Sequence, residues 1–409
     1  MGILSTLARR RLNMDFVKID TVQLSGNNRK SDYFVKPVYA RYTGDGDTVD
    51  DIIVRGGELV AYWNGERWIS ALTKLKAAID KMTRAESREL QSKHPDNNIA
   101  SASLQYDGGV SEKDFDTYLQ KVTTNNPAFD TKVLFKDANP KREDYSTYQL
   151  PYSPKEGDTT SFDKMLTTLY EESEYNKVLW FMGAALSGSM HKIQKFMYLY
   201  GGKGTGKGTV IKIFELLFKD YADTISLSLL TGGTPFAAAQ VKDVPLLIDS
   251  EADINRMKQD TNLLQLTAHE PLYVNPKYGK PYDITFEGLL VAASNQAFKV
   301  RNADSGITRR AVTIRPSNQL IERNEYNQLM AGVKAEIPAI AHKAISYFRS
   351  EGANRYENEV DVDIMKETDV VFSFVSDYYQ VLGDRVSLNV ASTHFKVTIG
   401  STEFFVMRF

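Results

Sequence analysis

The chain has 409 residues, 42% hydrophobic and 25% charged, a globular composition long enough for two or three domains. It contains no cysteine, which excludes a disulfide scaffold, a thiol nucleophile and any thiolate metal site, and fits a reducing compartment, the cytoplasm of a cell or host. Lys and Arg total 50 against 52 Asp and Glu, a net charge of −2, so any nucleic-acid contact must be local.

No apolar run reaches the ~18 residues of a membrane span, so no membrane partner is expected. Met1 to Thr6 match a loose myristoylation pattern that short sequences meet by chance. Arg9, Arg10 and Arg11 stand where a secretory signal would need its apolar core. Two short strands are predicted over Asp51–Val54 and Glu58–Trp63, and Asn64-Gly65 marks a hairpin leading to Arg67-Trp68-Ile69. A helix follows from about Ser70 to Ser92, and the polar stretches Ser92–Asn98 and Lys136–Tyr145 read as loops. Tyr62, Trp63 and Trp68 are read as core packing rather than as a base-stacking platform. Asp45, Asp47, Asp50 and Asp51 form an acidic cluster, but Gly56 stands where a calcium loop needs its glutamate, so a solvated turn is expected.

Leu150 to Gly157 is rich in Pro, Gly and polar residues and breaks the chain. Beyond it, Phe162, Met165, Leu166, Leu169 and Tyr170 make one apolar stripe at helical spacing, and Val178 to Met182 is apolar on every side, as in a buried helix. The stripe returns at Tyr326, Leu329, Met330 and Val333. Near the end a helix about Val371–Tyr379 and strands over Arg385–Val390 and His394–Phe409 are expected. The five histidines, His94, His191, His269, His342 and His394, have no ligand spacing and read as structural or surface residues.

The sharpest signal is Gly201, Gly202, Lys203, Gly204, Thr205, Gly206, Lys207, Gly208 and Thr209, between the apolar run Phe196–Tyr200 and the helical stripe Val210, Ile213, Phe214, Leu217 and Phe218. Strand, glycine-rich loop and helix form the context of a phosphate-binding loop. The glycines let backbone N–H groups curl around a phosphate, the helix N-terminus adds partial positive charge, and Lys207 reaches the β- and γ-phosphates of ATP. Gly208 occupies the usual Ser/Thr position. The hydroxyl on Mg²⁺ therefore comes from Thr209, or water takes that place.

Val244–Ile248 reads as a buried strand ending in Asp249 and Glu251. The first can hold Mg²⁺ directly or through water, and the second can orient or deprotonate an attacking water. The strand Leu289–Ala293 ends in Ser294-Asn295, whose amide can hold that water or sense the γ-phosphate. Arg309 and Arg310 precede the strand Ala311–Ile314 and are candidates to stabilise a phosphoryl transition state in trans, with nothing to choose between them. Between the second and third strands, a hairpin tip carries Lys277, Tyr278 and Lys280, a charge-plus-stacking set suited to a sugar–phosphate backbone.

In this order the motifs resemble the superfamily 3 helicases of viruses and mobile elements, above all the helicase part of phage and poxvirus-type primase-helicases. The resemblance spans about Tyr145 to Ser317. It implies an AAA+-type α/β core, with a parallel sheet flanked by helices, that forms a ring, usually a hexamer, around single-stranded and forked DNA. ATP would sit between subunits, with Lys207, Asp249, Glu251 and Asn295 on one side and Arg309 or Arg310 from the next. Lys277 would project into the channel, translocation would run 3′ to 5′, and other replication proteins would be partners. The implied division is an α+β N-terminal region (1–150), a helical collar (151–193), the core (194–320), a helical segment (321–365) and a small α/β tail (366–409) reading as a partial winged helix. Two alternatives remain: an ATP-gated origin-binding or loading ring with little unwinding, and an adenylate-kinase-like metabolite kinase. The kinase fits less well, because residues 1–195 precede the loop strand where such enzymes place it at the N-terminus.

Overall fold

The structure, a computed structural model, describes residues 17–24, 31–39, 52–55, 59–63, 67–70, 72–104, 113–115, 119, 133–141, 146–234, 236–241, 244–253, 260–275, 281–296, 306–359 and 361. Lys277, Tyr278 and Lys280, the Asp45–Asp51 cluster, the Asn64-Gly65 turn and the expected tail elements lie outside the described residues. The chain divides into two compact units, one of Met1–Tyr152 with Tyr273–Asp283 and one of Ser153–Leu272 with Ile284–Phe409.

In the first unit, β1 (Val17–Gln23) pairs antiparallel with β2 (Tyr33–Tyr39), Val17 opposite Tyr39. The strands β3 (Ile52–Arg55), β4 (Leu59–Trp63) and β5 (Trp68–Ser70) form an antiparallel meander in which Trp63 faces Trp68 across the expected hairpin. Tyr62 and Trp68 are buried, so these aromatics pack the core. The helix α1 (Leu72–Lys93) runs for 22 residues to β6 (Ile99–Ser101), which joins β2 in parallel. Leu75 and Ile79 on α1 pack with Val17, Tyr62, Leu104 and Phe115. The buried Asp80 accepts the Leu104 N–H at 2.7 Å and the Ser103 hydroxyl at 3.1 Å, which satisfies a carboxylate that burial would otherwise penalise. β1, β2 and β6 were not singled out from sequence: β1 alternates Val17 and Ile19 with Lys18 and Asp20 over a short stretch, Lys36-Pro37 interrupts β2, and β6 has only three residues.

The second unit opens with α2 (Thr160–Leu169), whose stripe Phe162, Met165, Leu166 and Leu169 is buried as its spacing predicts, and α3 (Glu172–Leu186), buried without a break from Val178 to its end. Then come β7 (Phe196–Tyr200), α4 (Lys207–Phe218), β8 (Ala222–Thr224), α5 (Leu227–Leu230), β9 (Leu246–Asp249) and α6 (Thr261–Ala268). Over Tyr273–Asp283, which belong to the first unit, β10 (Leu272–Val274) and β11 (Tyr282–Ile284) form a two-stranded ladder, the two arms of the expected hairpin. β12 (Leu289–Ser294), α7 (Ile307–Arg310), β13 (Ala311–Ile314) and the 29-residue α8 (Arg323–Glu351) complete the described chain.

Five of these strands form one parallel sheet in the order β13-β7-β12-β9-β8. The unbroken apolar runs of β7, β9, β12 and β13 follow from burial on both faces, the usual fate of a parallel sheet. β8 has only three residues and sits at the edge, which is why its polar Ala-Asp-Thr sequence gave no signal. From Val178 onward α3 is apolar all round because α8 covers it closely: a Cβ on Gly183 would stand 2.1 Å from the Ala344 carbonyl oxygen and 2.6 Å from Phe348 Cβ. Trp180 packs edge-on against Phe181, Phe348 and Tyr356 and donates its indole N–H to the Gly352 carbonyl at 2.9 Å. His269 ends α6 with φ +58°, and its ring nitrogens lie 2.8 Å from the Phe286 carbonyl and 2.9 Å from that of Ile193. That is a structural clip.

Candidate functional site

Strand β7 stops at Tyr200 and the chain turns out of the sheet through the glycine loop. Gly204 and Gly206 have φ of +80° and +110°, a region that side chains with a Cβ seldom enter, and this lets the loop fold back on itself. The Thr205 hydroxyl closes the turn on the Gly202 carbonyl at 2.8 Å. Helix α4 then starts at Lys207, so its unbonded N–H groups face the loop's interior.

Lys207 is buried, and burial lowers its pKa. Its ammonium donates to the carbonyls of Gly201 at 2.6 Å and Gly202 at 2.7 Å and to Asn295 Oδ1 at 2.8 Å. Register explains the third contact. β12 runs parallel beside β7 with Ser294 opposite Tyr200, so the residue after each strand reaches the same height, and the Gly201 N–H donates to the Ser294 carbonyl at 3.3 Å. Thr209 is buried and lines the cleft beside Gly208.

On the far side of β12, Ala292 is opposite Asp249, and the following turn hangs from β12 by the Ala252 N–H to the Ala293 carbonyl at 2.8 Å. Glu251 and Asp253 line the same cleft as Lys207, Gly208, Thr209 and Asn295. Asp249 does not share that lining. Its carboxylate is buried and accepts the N–H groups of Leu227 at 2.8 Å and Glu251 at 3.2 Å. Burial pushes its pKa up, the two N–H groups oppose that, and the Glu251 charge adds to it. Asp249 thus shapes the turn that presents Glu251. Asp253 was not singled out from sequence, although its place two residues beyond Glu251 in the same turn was a usable signal.

The cleft measures about 820 Å³ and lies beyond the carboxyl ends of β7, β9 and β12, where open parallel sheets bind ligands. Lys203, Gly204 and Gly206 line one end. Leu169, Leu320, Ile321 and Tyr326 line another, an apolar wall built from α2, the segment before α8 and the first turn of α8. The Ser317 N–H donates to the Leu169 carbonyl at 2.8 Å and its hydroxyl to Thr168 at 3.0 Å, which fixes that segment on α2.

The two arginines separate. Arg310 donates to the Leu264 carbonyl and, at 3.2 Å, to the Thr267 hydroxyl, and burial lowers its pKa. Arg309 is exposed, while its carbonyl accepts from the Lys195 ammonium. Neither lines the cleft of its own chain among the described residues. Also among the described residues, no group of three His, Cys, Asp or Glu could hold a metal by itself. A cation here would need oxygens beyond the protein's, and the cleft's donor set of loop N–H groups, Lys207, the Thr209 hydroxyl and the Glu251 carboxylate fits a nucleotide phosphate carrying its own Mg²⁺.

Residues 199–310 match a family described as a family of unknown function, DUF5906. Solved structures similar to this chain include three apo forms of the NrS-1 C-terminal region. One is 15% identical, with 83% of this chain and 80% of that one covered, at a TM-score of 0.45. Another is 14% identical, covering 84% and 80%, at 0.41. A third is 16% identical, covering 84% and 81%, also at 0.41. The chain's own topology, a five-stranded parallel sheet flanked by helices, is compatible with a P-loop core.

Proposed function

We propose that this chain hydrolyses ATP to move along DNA, as a ring-forming helicase with a superfamily 3, AAA+-type core serving the replication of a phage or mobile element. The observation that carries the reading is the convergence of Lys207, Asn295 and Glu251 on one cleft at the carboxyl ends of three neighbouring strands. The interposition of β12 between β7 and β9 supports it further, because it stands the Asn295 amide between the phosphate end and the acidic turn.

In this reading the loop N–H groups and Lys207 bind the β- and γ-phosphates, and Lys207 exchanges its carbonyl and amide partners for phosphate oxygens. Thr209 and the acidic turn would hold Mg²⁺, which would supply neutralisation of charge on the phosphates. Glu251 orients or deprotonates the attacking water, and Asn295, released by Lys207, holds it. The apolar wall of Leu169, Leu320, Ile321 and Tyr326 receives the base. Arg310 is held by α6, so Arg309 is the arginine offered to the phosphates bound by a neighbouring subunit. Lys277 contacts the DNA backbone.

The test is ATP turnover with and without single-stranded DNA, for the wild type, Lys207→Ala, Lys277→Ala and Arg309→Ala. DNA should stimulate turnover, Lys207→Ala and Arg309→Ala should abolish it, and Lys277→Ala should lose only the stimulation. Turnover that ignores DNA and rises with a nucleoside monophosphate would make the chain a metabolite kinase.

A further inference from the structure

The helix α1 of the first unit carries a feature that the ATPase reading does not use. Ala77, Lys81, Arg84, Ala85 and Arg88 line a groove of about 440 Å³. At 3.6 residues per turn these positions fall within about 100° of one another around the helix axis. Leu75 and Ile79, which enter the unit's core, lie on the opposite side of the helix. Lys81, Arg84 and Arg88 are all exposed.

The acids of α1 stay off this stripe. Glu86 and Glu89 project from other sectors, and Glu89 is paired with Lys93 at 3.0 Å. Asp80 borders the stripe but is buried, with its oxygens taken by Leu104 and Ser103, and it holds Arg84 only at 4.0 Å. Among the described residues, Lys81 and Arg88 have no ion-pair partner. Three cations flanked by Ala77 and Ala85, with no carboxylate among the described residues that line the groove, form a local positive surface on a chain whose net charge is −2.

The spacing selects the partner. Lys81 to Arg88 spans seven residues, about 10 Å of helix rise. Stacked nucleic acid carries one phosphate per ~3.4 Å of each strand, so about three phosphates occupy the same length. Ala77 and Ala85 leave room for a sugar–phosphate backbone to approach the helix surface, and cation contacts to phosphate carry no sequence information.

We propose that the α1 stripe of Lys81, Arg84 and Arg88 is a sequence-independent contact for the phosphate backbone of one nucleic-acid strand. It acts without ATP and stands whether or not the cleft hydrolyses a nucleotide. The measurement is the affinity of the full chain for a fluorescent oligothymidylate, without nucleotide, over a range of salt. Each single-strand phosphate contact contributes about 0.7 to the slope of log K against log salt. Alanine at all three positions should flatten the slope by about 2 and weaken binding about a hundredfold at 0.1 M salt. Arg88→Ala alone should flatten it by about 0.7, and K81R with R84K and R88K should keep the wild-type slope. Thermal melts and DNA-free ATP turnover should not move, since these side chains are exposed and outside the cleft. An unchanged slope and affinity for the triple alanine variant overturns the proposal. So does a variant that loses only its binding to a polyglutamate of equal length, which would make the stripe a docking face for an acidic protein.

Discussion

The two ends of the cleft are built in opposite ways. The phosphate end is local: Gly201 to Thr209 are consecutive, and the geometry follows from two glycines at positive φ and one helix start. The apolar end is assembled from Leu169, Leu320, Ile321 and Tyr326, which meet only because α2 and the segment before α8 are pinned together through Ser317. Chemistry that needs backbone N–H groups in a fixed cradle can be encoded in nine residues. A surface that needs only shape and apolarity can be gathered from anywhere in the chain, and so leaves no motif.

The two largest effects should fall on the phosphate end. Lys207→Ala removes the cation that organises Gly201, Gly202 and Asn295, and we expect ATP turnover to drop by about 10² to 10³-fold, the scale of losing one preorganised electrostatic group. Turnover within threefold of wild type would mean that the phosphates lie elsewhere.

Next comes the question of whether the phosphate end is complete within one chain. Arg309→Ala should leave the melting temperature unchanged, because its side chain is exposed, while cutting turnover about 10³-fold. Arg310→Ala should do the reverse on stability. It strips two hydrogen bonds from half-buried partners on α6, at a cost of about 1–3 kcal/mol, read as a lowered melting temperature. Equal losses of turnover with no thermal shift in either variant would erase the distinction between the two arginines.

This contrast explains what was legible. The strands β7, β9, β12 and β13 could be read because parallel sheets buried on both faces demand unbroken apolar runs, and α1 could be read from its length and period. Asp249 and Glu251 could be named as a pair, but their division of labour depends on Leu227, whose N–H takes one Asp249 oxygen from 22 residues upstream. Which arginine is free was likewise decided by α6, a helix with no mark in the Arg309-Arg310 motif itself. Tyr326 was read only as part of a core stripe, although it also faces the cleft, because a helical period reports burial and not what the helix buries against.

The distributed end yields a smaller effect. Tyr326→Ala trims one element of the wall without touching the phosphates, so KM for ATP should rise about fivefold with kcat within about twofold, the pattern of lost uniform binding. A fall in kcat instead would move Tyr326 from the base to the reacting end.

The smallest effect comes from within the loop itself, where two neighbouring glycines should respond differently. Gly206 has φ +110°, and an added Cβ would lie 3.1 Å from Leu169 Cδ1, so Gly206→Ala should cost about 1–3 kcal/mol and weaken nucleotide binding. Gly208 has no such constraint: a Cβ there meets nothing within 4 Å, in a position that lines the cleft. Gly208→Ser should therefore fold normally and place a hydroxyl one residue before Thr209, in the first turn of α4. It also removes a glycine from a helix, which favours the fold by up to about 1 kcal/mol. We expect the melting temperature to hold or rise slightly and the Mg²⁺ concentration for half-maximal turnover to fall by about two- to threefold, as a second hydroxyl joins the cation's surroundings. If the Mg²⁺ requirement stays fixed while Thr209→Ala raises it, Thr209 alone supplies the protein hydroxyl. The glycine is then a tolerated substitution in a site whose metal ligand has shifted by one residue.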